Sequence, residues 1–219
     1  MAVVLALVLA TGFSHSASAR MALVVGGLVA LAGWVAPRTT AWSLAVGLVA
    51  LALAWPWLAR PMLDTFSDQE TIPFTWRHRM EIWDYLSFRI VERPWSGWGV
   101  NAVPLLSMAT EPPRVYHWSH FPPSHAHSVA LQLWIEFGLP GVIAGLAAGL
   151  ALLVRAAGLP AGLRPFGLAT WAAGLILPLF GYGVWTDSLL ATLALAAFIL
   201  AVLARRSASL HGMVRGTSG

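Results

Sequence analysis

The chain contains neither cysteine nor lysine. Without thiols it can form no disulfide, no thiolate nucleophile and no cysteine-ligated zinc centre. All thirteen basic residues are therefore arginine, which, with abundant Ala, Gly, Pro and Trp, points to a GC-rich bacterial genome. Charge is scarce: 10% of the 219 residues are charged, whereas 58% are hydrophobic. With a mean hydropathy of +0.72, so apolar a chain reads as an integral membrane protein. The pI of about 10.6 reflects few acids and no lysine. No basic stripe with interleaved aromatics is present, which argues against nucleic acid as a partner.

Six apolar segments, at 1–13, 21–36, 41–58, 139–154, 166–184 and 188–204, stand against the roughly 20 residues that cross a bilayer. They predict an all-α, polytopic helical bundle of five or six spans. Residues 1–19 have an alternative reading as a signal peptide cleaved at Ala17-Ser18-Ala19, although a basic leading region is missing. Arg38, Arg155, Arg164, Arg205, Arg206 and Arg215 fall on connections that alternate to one side, which the positive-inside rule makes cytoplasmic. The expected organisation is N-terminal transmembrane helices over 1–59, a periplasmic loop with interfacial helices over 60–138, C-terminal transmembrane helices over 139–205 and a cytoplasmic tail over 206–219. The turn from Ser14 to Arg20 also faces the periplasm, and Arg20 there runs against the charge rule.

Eight of the nine acidic residues and five of the seven histidines lie between residues 60 and 137. Within that loop Met80, Trp83, Leu86 and Ile90 repeat at helical spacing and Arg77 pairs with Glu81 at i,i+4, so residues 77–92 predict a helix. Flanking tryptophans at 76, 83, 95 and 98 place it in the interfacial plane, and Arg93-Pro94 ends it. Pro94-Trp95-Ser96-Gly97-Trp98-Gly99 is then a turn.

After Pro122-Pro123, Ser124 is placed to cap a helix running to Phe137. On it His125, Ser128, Gln132 and Glu136 form a polar stripe opposite His127, Leu131 and Trp134, so amphipathicity alone exposes His125. Titratable groups are expensive near lipid, and a neutral histidine at a helix start is a reasonable general base. Either histidine could serve, and either could simply hydrogen-bond water or carbonyls.

His127-Ser128, followed after nine residues by Gly138-Leu139-Pro140-Gly141-Val142, resembles the signature of the O-antigen ligase family of bacterial membrane glycosyltransferases. Arg79-Met80-Glu81-Ile82-Trp83 resembles the family's Arg-x-x-x-Trp element, Pro94 to Gly99 its Pro-x-x-Gly-x-Gly element, and Ser18-Ala19-Arg20 more loosely its Ser-Arg turn. The resemblance covers residues 11–185 and corresponds to the C-terminal half of a usual member, so a missing N-terminal half on another chain is an expected partner. It implies transfer of a glycan from a polyprenyl diphosphate carrier to an acceptor hydroxyl on a glycan, lipid or protein. The reaction would run at the periplasmic face of the bacterial inner membrane, among membrane lipids, without metal, nucleotide sugar or other cofactor. His127 would be the base and Arg79 would neutralise the departing diphosphate, with Arg20, Arg93 and His125 binding substrate.

Two other classes compete. His117, His120, His125 and His127 could contribute to a zinc hydrolase, although His-x-x-His in a proline-rich loop lacks the i,i+4 geometry of a helical zinc motif. A non-catalytic polyprenyl-lipid carrier or assembly partner is the other.

Overall fold

The structure, a computed structural model, describes residues 16–66, 69–109, 115–117, 123–181, 185–187, 190–192, 194–199, 201–202 and 205. The fold is all-α: α1 (Ala17–Val35), α2 (Pro37–Phe66), α3 (Phe74–Glu92), α4 (Ala102–Ala109), α5 (Val129–Ala157) and α6 (Arg164–Phe180). Among the described residues three helices, α1, α2 and α5, are long and apolar enough to cross a membrane. Their apolar side chains largely face outward, as Val24, Leu28, Leu31, Trp42 and Val46 illustrate, and an exposed apolar surface of that extent marks a lipid-facing or partner-facing one. The expected segment 1–13 and tail 206–219 lie outside the described residues, as does part of 188–204.

Several boundaries differ from expectation. Ser16 caps α1 by accepting from the Ala19 N–H at 3.2 Å, so Ala17 to Arg20 form the first helical turn rather than a connection. α2 runs on to Phe66 through Pro56 and Pro61, past the expected start of the loop. α3 is largely enclosed by protein: every residue from Met80 to Ser87 is buried. The helix expected from Ser124 begins only at Val129, because His127 adopts a left-handed φ of 50° that no right-handed helix accommodates. The stripe Ser128, Gln132 and Glu136 is buried, not exposed; Gln132 donates to Glu136 Oε1 at 3.0 Å, which provides a polar partner for the acid.

The chain divides into two compact units. In one, built from residues 1–45, 150–177 and 185–219, Leu153, Ala156 and Leu168 form a core joined by Val29, Ala41, Leu44 and Trp171. The other comprises residues 46–149 and 178–184 and carries the histidines. Proline has no N–H to donate to the carbonyl four residues back, so Pro56 orphans the Ala52 oxygen. The Trp134 indole N–H donates to that oxygen at 2.8 Å. Trp134→Phe, which keeps the ring but leaves the carbonyl unpaired, is expected to cost about 1–3 kcal/mol, measurable as a lowered Tm in detergent.

Two glycine motifs 41 residues apart lock together in the same unit. The Trp98 N–H donates to Ile135 O at 2.7 Å, Gly99 N–H to Glu136 O at 3.0 Å, and Leu139 N–H to Pro94 O at 2.8 Å. Gly138 breaks α5 at φ 63°, ψ −157°, and a Cβ there would lie 2.6 Å from the Trp95 carbonyl carbon. Gly97, at φ +63°, would meet the Glu136 carbonyl carbon at 2.5 Å. The turn after α3 and the break in α5 are each shaped to receive the other, so the Gly-Trp-Gly sequence serves backbone packing here.

Candidate functional site

α3 and the segment before α5 bring four polar side chains together. The His125 and His127 ring centroids are 3.9 Å apart, and His78 meets His127 edge to face at 5.9 Å. Arg79 acts electrostatically on both His125 and His127. His78 did not stand out in the sequence, where it is one histidine beside a more suggestive arginine; its place one residue from Arg79 on α3 was the available signal.

His127 is tied at both ends. Its ring Nδ1 lies 3.4 Å from the Gly181 carbonyl; a carbonyl can only accept, so Nδ1 carries the proton and Nε2 keeps its lone pair. On the main chain, the Trp83 indole N–H donates to Ala126 O at 3.1 Å. Burial, then His125, Arg79 and His78, push the His127 pKa down to about 4, only partly opposed by the bond to Gly181. The same burial, with Arg79 and His78, lowers His125, whose Nδ1 pairs with Ser124 Oγ at 2.8 Å. Both imidazoles are therefore neutral near pH 7.

Arg79 is half-buried, with its guanidinium 5.5 Å from the Trp76 ring centroid. Its Nη1 is buried and has no hydrogen-bond partner among the described residues, and burial lowers its pKa. A cation held this way favours an incoming anion, since a buried donor left unpaired costs about 1–3 kcal/mol, more when charged. The nearby acids are engaged elsewhere: Asp84 Oδ2 accepts from Tyr116 OH at 2.7 Å, Asp84 Oδ1 lies 3.6 Å from Arg60 Nε, and Glu81 Oε1 accepts from the His117 N–H at 2.7 Å. Both carboxylates thus anchor residues 116–117 to α3.

Two further candidates make no bonding or ring contact with this cluster among the described residues. Arg93 is exposed and stacks 4.1 Å above Trp98; among the described residues no hydrogen bond, ion pair or ring contact joins it to the histidines. Arg20 is exposed on the first turn of α1, in the other unit. His120 lies outside the described residues, among which no group of three or more His, Cys, Asp or Glu is arranged to hold a metal.

The arrangement offers a neutral imidazole with a free Nε2 within the field of a cation that lacks a hydrogen-bond partner at Nη1 among the described residues. It can take a proton and neutralise an anion within one site. The O-antigen ligase family model matches residues 2–146. No curated protein and no solved structure matches the chain. Because the match spans well over half of an apolar, all-helical sequence, the chain belongs to the O-antigen ligase family of membrane proteins, whose substrates in general are a lipid-linked glycan and an acceptor.

Proposed function

We propose that the protein transfers a glycan from a polyprenyl diphosphate carrier to an acceptor hydroxyl at the periplasmic face of the bacterial inner membrane. The organisation that suits this is a multi-pass bundle of five or six spans with residues 60–138 on the periplasmic side. The observation that carries the reading is the Nε2 lone pair of His127 lying within the field of Arg79, whose buried Nη1 has no hydrogen-bond partner among the described residues. Nε2 takes the acceptor O–H proton as that oxygen bonds the anomeric carbon. The bond from that carbon to the diphosphate oxygen breaks, its electron pair leaves with the diphosphate, and Arg79 neutralises the charge released. His125, Arg20 and Arg93 are assigned to substrate binding. The diphosphate is already a good leaving group, so positioning and charge stabilisation supply much of the rate.

The pH dependence follows from the base. Protonation of His127 removes its lone pair, so kcat/KM, which reports the free enzyme, is expected to fall only below about pH 4, against about 6.5 for an ordinary histidine. A bound diphosphate offsets the field of Arg79 and raises His127 basicity, so the acid limb of kcat lies at higher pH. Arg79→Lys keeps the charge but loses the two-pronged donor; it should lower kcat about 10- to 100-fold and leave the kcat/KM limb in place. The test is the pH–rate profile of glycan transfer from a polyprenyl diphosphate donor. An acid limb near 6.5 in kcat/KM, or full activity in Arg79→Lys, would overturn the assignment.

A further inference from the structure

We infer that Trp83 is a positioning residue for glycan transfer: its indole N–H orients the peptide that precedes His127 and so aims the imidazole. This rests on His127 being the base.

The Ala126 carbonyl and the His127 N–H belong to one planar peptide unit. Fixing the direction of that carbonyl therefore fixes the plane about which the φ of His127 turns. The Trp83 indole holds it at 3.1 Å, with both Ala126 and Trp83 fully buried. His127 needs such a hold. Its φ of 50° lies in the left-handed region, where a non-glycine residue is strained and persists only when its surroundings over-determine it.

The other restraint on His127 leads back to the same side chain. Gly181, whose carbonyl meets the imidazole, follows Phe180, and the Phe180 ring packs 6.2 Å from Trp83 and 5.5 Å from Trp55. Trp55 in turn meets Trp83 at 5.2 Å. One tryptophan thus sets the backbone of the base directly and supports the neighbour of the carbonyl that selects its tautomer. Four residues upstream on α3, Arg79 projects from nearly the same helix face, so one rigid helix fixes base and cation relative to each other.

Trp83→Phe keeps an aromatic ring in the cluster and deletes the N–H. It is expected to lower kcat about 10- to 100-fold, as misplacement by roughly 1 Å does, with the acceptor KM unchanged. A freer ring also escapes the burial and the His78, His125 and Arg79 fields that hold its basicity down, so the acid limb of kcat/KM moves to higher pH. A purely structural loss would not move that limb. Trp55→Phe is the control: Trp55 is equally a member of the cluster, but its Nε1 is buried with no hydrogen-bond partner among the described residues, so removing it should leave kcat and the limb unaltered. Ala126→Gly loosens the same peptide without touching the aromatic cluster and should reproduce the fall in kcat and the shift, so the test does not depend on Trp83→Phe folding. Wild-type kcat and limb in Trp83→Phe, or in Ala126→Gly should Trp83→Phe not fold, would overturn the positioning role while His127→Ala stays inactive. Transfer surviving in His127→Ala would instead overturn the assignment of the base.

Discussion

Replacing His127 by alanine is expected to lower glycan transfer by about 10²–10⁴-fold, the usual loss when a general base is removed, while His125→Ala retains measurable transfer. The two rings lie side by side, yet their attachments differ. The Nδ1 of His127 is committed to a backbone carbonyl, which fixes one tautomer, whereas His125 pairs with the hydroxyl of exposed Ser124, which can donate or accept and so selects none. His127 is only partly buried, so its truncation should leave the protein inserted. The measurement is transfer per amount of membrane-inserted protein. Near-normal transfer by His127→Ala, or an equal loss in His125→Ala, would sink the assignment.

The second large effect is on folding. Gly138→Ala should prevent accumulation of the native protein, because the substitution combines two penalties. Its backbone at φ 63°, ψ −157° lies where only glycine is at ease, a strain of about 1–3 kcal/mol. Its new Cβ would also stand 2.6–2.7 Å from the main chain of Pro94 and Trp95, atoms that cannot swing aside as a side chain would. Gly97→Ala faces the same pairing of costs against Glu136 and Phe137. Gly27→Ala, in α1 with open space around it, should leave the protein folded and raise its stability by about 0.5–1 kcal/mol. Monodisperse yield and Tm in detergent report all three; a Gly138→Ala protein as stable as Gly27→Ala would refute this account of the interlock.

The helices were legible because their cause is local. Long apolar runs, the 3.6-residue repeat of Met80, Trp83, Leu86 and Ile90, and the Gly138-Leu139-Pro140 break all act within a few residues of where they are written. The family motifs were legible as strings. What the strings do was not. The wheel drawn from Ser124 assumed right-handed geometry through His127, and nothing in Ser-His-Ala-His-Ser announces that the second histidine turns left-handed; that conformation depends on a tryptophan 43 residues earlier. Glu136 read as the exposed end of a stripe because the turn that covers it lies some 40 residues upstream. The same holds for Trp134, whose partner is an oxygen orphaned by a proline in a different helix. Each of these three is a long-range pairing, and a single sequence carries no record of such pairings.

The carbonyl that selects the His127 tautomer belongs to Gly181, 35 residues past the end of the segment matched by the family model. Every recognisable motif precedes that end, so a chain cut after residue 146 would keep the whole signature and lose the atom that tells the imidazole which nitrogen to leave bare. If His127 is the base, as proposed, the minimal working piece of this protein is longer than the piece by which it is recognised. Engineering by module exchange should place its junction beyond Gly181, since a graft of the signature alone would carry the proposed base without its setting.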